Sequence, residues 1–156
     1  MENNILKLIK NNDIDGVRKA IEAGADVNIQ HKYGLTALMI AIGFYRPKIA
    51  KLLIKKGADV NIKDDYGNTA LIHASTSRDT EIVKLLLEAR VDRDIQTKCG
   101  ATALIIASYH NEVEIAKLLV EAKTNLDIQT KYGKTALDYA KEQGNQKIVE
   151  LLTTKN

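Results

Sequence analysis

Apolar positions along the chain fall into two kinds of short block that alternate. One kind follows a Thr-Ala-Leu triplet, at Thr36, Thr69, Thr102 and Thr135. In the first of these, Leu38, Ala41 and Ile42 fall at the spacing of one helical face. The other kind is leucine-rich: IAKLLI (Ile49–Ile54), IVKLLL (Ile82–Leu87), IAKLLV (Ile115–Val120) and IVELL (Ile148–Leu152). Polar stretches carrying glycine separate them. The pattern predicts a unit of helix, tight turn, helix and extended loop. The threonine is an N-cap, its hydroxyl free to accept a backbone N–H. Pro47 suits the first position of the second helix, where no N–H is needed. Gly57 supplies a left-handed stop, and Asp59–Gly67 turns back before the next threonine.

The units keep one period. ADVNI at Ala25–Ile29 returns at Ala58–Ile62, then as VDRDI at Val91–Ile95 and TNLDI at Thr124–Ile128, each a step of 33 residues. Gly34, Gly67, Gly100 and Gly133 keep the same step. A 33-residue unit with G-x-T-x-L, a leucine-rich second helix and G-A-D-V-N resembles the ankyrin repeat. The resemblance covers nearly the whole chain. It implies an all-α solenoid of stacked helix-turn-helix units joined by β-hairpin-like loops, about five units with two caps. The expected units are 1–31 (an N-terminal cap with ILKLI in place of the usual first helix), 32–64, 65–97, 98–130 and 131–156 (a C-terminal cap). In the last, Asp138, Lys141, Glu142 and Gln143 replace more apolar residues, as an outer face meeting water requires.

The chain departs from the family pattern in three places. The usual proline after the threonine is Ala in all four copies, and the usual histidine after the leucine is Met39, Ile72, Ile105 and Asp138. That histidine normally bridges neighbouring loops, so loop order must rest on something else here. The helix-stop glycine, present at Gly24 and Gly57, gives way to Arg90 and Lys123. A left-handed non-glycine residue costs roughly 1 kcal/mol, which predicts a softer C-terminal half.

Composition agrees with a helical stack. The 156 residues are 45% hydrophobic but only 4% aromatic, without Trp, so the core must be Leu, Ile, Val and Ala. A net charge of +3 is too mild to argue for nucleic acid. Cys99 is the only cysteine, which excludes an internal disulfide and suits a reducing compartment. MENNILKLIKNNDIDG is broken by Lys7 and Lys10 and lacks a signal-peptide core. No window approaches the run of ~18 apolar residues a membrane helix needs. A cytoplasmic monomer is expected, with no membrane and no cofactor.

One stretch raises the question of catalysis. DYGNTALIHAS, Asp65–Ser75, holds Asp65, His73 and Ser75, the side-chain types of a hydrolytic triad. The 33-residue equivalents of His73 are Ile40, Ile106 and Tyr139, and Asp65 belongs to a loop while His73 and Ser75 belong to a helix. Convergence is not expected. His31, His73 and His110 are scattered without metal-ligand spacing, and Cys99 occupies the place of Tyr33, Tyr66 and Tyr132. No enzyme is expected.

The resemblance instead implies a partner protein held on a concave face of loop tips and first helices, as by an adaptor, scaffold or inhibitor. The tip positions are Lys32, Tyr33 and Leu35; Asp65, Tyr66 and Asn68; Lys98, Cys99 and Ala101; and Lys131, Tyr132 and Lys134. The first-helix ends add Gly43 and Phe44, Thr76 and Ser77, and Tyr109 and His110. Aromatics concentrated on one face are typical contact anchors. The tyrosines have a second reading, as packing against the next loop in place of the histidine bridge. The lysines favour an acidic partner or form a solvated edge. Binding of nucleic acid or another anionic surface is the alternative function; Asp64 and Asp65 interrupt the lysine stripe it would need. The resemblance also marks Asn61, and less well Asn28, as a loop asparagine of the kind hydroxylated in animal cells.

Overall fold

A computed structural model describes residues 2–154; Met1, Lys155 and Asn156, the expected domain's outermost positions, lie outside the described residues. Among these, ten α-helices form five antiparallel pairs: α1 (Glu2–Lys10) with α2 (Ile14–Glu22), α3 (Ala37–Gly43) with α4 (Pro47–Lys55), α5 (Ala70–Thr76) with α6 (Thr80–Glu88), α7 (Ala103–Tyr109) with α8 (Val113–Glu121), and α9 (Ala136–Glu142) with α10 (Gln146–Thr153). ILKLI forms α1 itself, at 9 residues longer than the 7 of α3.

The starts of the helices are chemically explicit. Thr36, Thr69 and Thr102 accept the N–H of Met39, Ile72 and Ile105 at 3.2, 3.4 and 3.3 Å. Thr135 does the same for Asp138, and the Asp138 carboxylate returns the favour to the Thr135 N–H at 2.9 Å. Asp138, partly exposed, also closes a capping box; Lys141, Glu142 and Gln143 are the fully exposed members of that cap.

Ala37, Ala41, Ala70, Ala74, Ala103, Ala107, Ala136 and Ala140 are at most 2% exposed. These small residues let α3, α5, α7 and α9 pack more closely on one another than the second helices do. The second helices bury Ile49, Leu53, Ile82, Leu86, Ile115, Leu119 and Ile148. Each such side chain contributes about 1.5–3 kcal/mol on burial.

Each loop closes by two backbone bonds: His31 N to Leu35 O, Asp64 N to Asn68 O, Thr97 N to Ala101 O and Thr130 N to Lys134 O, and the glycine N–H of each tip to the carbonyl of His31, Asp64, Thr97 or Thr130, all at 2.8–2.9 Å. Only Gln30 and Thr36 form a β-bridge among the described residues. Stacking without the family histidine is carried by the backbone. The N–H groups of Asp65, Lys98 and Lys131 donate to Tyr33 O, Tyr66 O and Cys99 O, each at 3.0 Å. Gln30 and Gln96 each bridge their own glycine carbonyl and a carbonyl 33 residues on. The Asn28 and Asn61 side chains accept the N–H of Asp59 and Asp92 at 2.8 Å. The spacing is tight: a Cβ on Gly100 (φ +82) would lie 3.0 Å from Lys131 N.

Arg90 and Lys123 adopt left-handed φ of 58° and 61°, as their place at a helix stop requires. They are not the only such residues. The turn within each pair repeats a left-handed position at Asn12, Tyr45, Arg78, Asn111 and Gly144, and Tyr33, at a loop tip, is left-handed too. Tyr33 and Tyr45 lie in the N-terminal half, so left-handed strain does not single out the C-terminal half.

Candidate partner-binding surface

Tyr33 and Tyr66 give their carbonyls to the stack and leave their rings exposed. Tyr33, Tyr66 and Tyr132 are 50%, 60% and 76% exposed, so half or more of each side chain is left open to a partner. Cys99 is exposed in the same series. At the helix ends Phe44 and Tyr109 are 44% and 46% exposed, and Thr76 and His110 are exposed beside them. Lys32, Asp65 and Lys98 are also exposed.

Other expected contact residues are engaged within the chain. Leu35 and Ser77 are half-buried. Asn68 donates its amide to Asp64 at 3.1 Å. The Thr76 hydroxyl donates to Ile72 O at 2.9 Å. Lys134 pairs with Glu142 at 2.8 Å, and the hydrogen bond to Glu142 raises its pKa. Its charge is thereby withdrawn from the positive tips.

The exposed aromatics border two grooves that sequence reasoning did not foresee. One, of about 330 Å³, lies between α1 and α3, with Leu6, Leu35 and Ile40 as its floor and Tyr33 and Phe44 as its walls. Lys10 Nζ sits 5.7 Å from the Phe44 ring centroid and Lys32 Nζ 4.8 Å from that of Tyr33. The other, of about 220 Å³, lies between α7 and α9, lined by Ile105, Ile106, Tyr109, Tyr132, Tyr139 and Cys99 among others. Tyr109 meets His110 and Tyr139 edge to face, at 5.0 and 6.0 Å between centroids.

Between the grooves lies a hydrogen-bonded polar cluster. Asp64, 6% exposed, accepts from the N–H groups of Tyr66 and Asn68 at 2.9 and 2.8 Å and contacts His73 Nε2 at 2.9 Å. Burial works to raise its pKa, but the hydrogen bonds from Asn68, His73 and Tyr66 outweigh it and hold the carboxyl below the usual aspartate value. Asp64 therefore points inward, and only Asp65 interrupts the surface lysines. His73 is bound by Asp64 rather than Asp65. The Ser75 hydroxyl is fully buried and donates to Leu71 O at 2.9 Å. The three triad-like residues have no shared geometry. The repeat does contain a paired position: Thr130 meets Tyr139 OH at 3.3 Å, at the same nine-residue separation as Asp64 and His73. Comparing residues nine apart across the units would have revealed it, since the first member is polar in every copy. Among the described residues, no three His, Cys, Asp or Glu side chains converge as metal ligands, and no helix is long and apolar enough to cross a membrane.

The family model for ankyrin repeats, written as three copies, matches residues 5–94 and again 79–156. Among curated proteins none matches the chain.

Proposed function

Because the chain belongs to the ankyrin-repeat family, whose members are typically non-catalytic protein-interaction modules, we propose that it holds a partner protein on the inner face of loop tips and first helices. The observation that carries this reading is the placement of the aromatics. In a chain with 6 Tyr and 1 Phe, five of these rings border the two apolar grooves on that face. Large exposed rings around an apolar hollow are the usual anchors of a protein contact.

The contact surface is drawn from Lys32, Tyr33, Leu35, Phe44, Asp65, Tyr66, Asn68, Thr76, Ser77, Lys98, Cys99, Tyr109, His110, Tyr132 and Lys134. The grooves add Lys10, Ile40, Ile106 and Tyr139. We take 1–156 as one domain of five units divided at 31/32, 64/65, 97/98 and 130/131. It acts as a cytoplasmic monomer that catalyses nothing, serving as adaptor, scaffold or inhibitor. The single exposed thiol of Cys99 suits a reducing compartment.

Affinity capture from lysate of the source cells tests this, with the wild type beside Phe44→Ala/Tyr66→Ala/Tyr109→Ala. The expected result is a stoichiometric protein retained by the wild type and lost by the folded variant. Equal retention by both would place binding on another surface.

A further inference from the structure

We infer that the groove between α1 and α3 takes an extended acidic segment of the partner protein, seating an apolar side chain against Tyr33 and Phe44 with an adjacent carboxylate on Lys10 and Lys32. The inference rests on the inner face being the partner surface and adds what that partner must carry.

The charges near this face are unequally spent. Its carboxylates are committed within the chain: Asp64 to Tyr66, Asn68 and His73, Asp138 to Thr135, and Glu142 to Lys134. Asp65 is the exposed exception. Apart from Lys134, the cations at the groove and tips are not tied to these carboxylates. Lys10 and Lys32 pair with no carboxylate among the described residues and hold their ammonium groups over the groove's two rings. The Arg46 guanidinium donates to Lys10 O at 3.0 Å, which adds positive charge behind the same groove. Lys98 and Lys131 continue the positive edge along the tips. A cleft lined by one sign of charge attracts the other.

The occupant is a protein segment rather than a nucleic acid. A single strand needs open ring faces for its bases and an unbroken positive track for its phosphates; Lys10 and Lys32 each hold an ammonium over one face of Phe44 and Tyr33, and the exposed Asp65 interrupts the lysines along the tips. The floor of Leu6, Leu35 and Ile40 suits an aliphatic or aromatic side chain. The second groove has no Lys, Arg, Asp or Glu in its lining, and the ammonium over its Tyr139 ring belongs to Lys134, already paired with Glu142, so it takes an uncharged apolar side chain. The two grooves are three first-helix spacings apart. At 8–10 Å per packed helix that is roughly 24–30 Å, or about eight extended residues. The partner segment thus carries two apolar anchors about eight residues apart, the carboxylate beside the one nearer α1.

The test is selection of a random-peptide display library on the full chain, followed by fluorescence polarisation of an enriched peptide. Enriched sequences should place Asp or Glu next to one of two apolar residues at that separation. Lys10→Glu/Lys32→Glu should weaken binding at least ~10-fold, and added salt should weaken the wild type. Lys84→Glu/Lys117→Glu, on the outer helices, should leave affinity unchanged. Enriched peptides without acids, or affinity indifferent to the inner charge reversal, overturns this inference. If such peptides are still lost by Phe44→Ala/Tyr66→Ala/Tyr109→Ala, the inner face as binding surface stands; if they are not, that reading falls too. No enrichment overturns the extended segment. An oligothymidine binding more tightly than any peptide, with the same lysine dependence, replaces it with a nucleic acid.

Discussion

Asp64 is the residue whose removal the structure prices most directly. It is a buried carboxylate that serves Tyr66 N, Asn68 N, Asn68 Nδ2 and His73 Nε2 at 2.8–3.1 Å. Asp64→Ala strands those groups. A hydrogen bond to a charged group contributes about 1.5–3 kcal/mol, and a buried group left unpaired costs about 1–3. Tyr66 and His73 border solvent, so water repairs part of the loss. The net expectation is about 3 kcal/mol, and about 6–12 °C in Tm for a domain of this size. The neighbouring units supply an internal control. Thr97 stands at the Asp64 position and accepts the N–H of Ala101 at 3.1 Å, while Ile106 stands at the His73 position. Asp64→Thr/His73→Ile should therefore lie within about 1 kcal/mol of wild type, although Asp64→Thr alone orphans the imidazole. Urea melts of the two singles and the double give the coupling, expected at about 1–2 kcal/mol. A cost below ~1 kcal/mol for Asp64→Ala, or a cycle without coupling, refutes the reasoning.

The same residue sets a pH dependence. Its folded pKa lies below the unfolded value of about 3.9. Its contribution is thus fully present above that value and is lost as pH falls through the lower folded pKa. The acid limb of wild-type stability, below about pH 4, should be steeper than that of Asp64→Thr. Equal acid limbs would show that the carboxylate is not held in its charged form by these bonds.

Three further perturbations separate packing from backbone strain. Leu86→Ala, at a fully buried position of α6, should cost about 2–5 kcal/mol by urea denaturation. Gly100→Ala should destabilise more than Gly133→Ala. Both have φ above +70°, but a Cβ meets Lys131 N at 3.0 Å in the first and nothing within 4 Å in the second. Equal melting temperatures would mean that close stacking of the loops is not what Gly100 protects. Arg90→Gly and Lys123→Gly should each stabilise by up to ~1 kcal/mol, less the entropy glycine adds to the unfolded chain; a loss in both would show that the left-handed helix stop carries little strain.

The fold was legible because its signals are local and repeated. A threonine that caps and leucines at helical spacing act within a few residues of themselves, and the period of 33 repeats both; Pro47 adds its signal once. What escaped was any contact that crosses a unit boundary. The replacement for the missing histidine bridge lies in the carbonyls of Tyr33, Tyr66 and Cys99, which the identity of those residues does not reveal. The site was legible in the same measure. Exposure of Tyr33, Phe44 and Tyr109 follows from their place in one unit. The grooves need Leu6 and Lys10 from one unit against Phe44 from the next, and Tyr109 against Tyr139. Lys134 shows the converse error. As a tip residue it promised positive charge, but Glu142, one helix further along the same unit, takes it. In a stacked repeat the chemistry of the face is thus written in pairs of neighbouring units. Two chains with the same unit, in a different order, would present different surfaces.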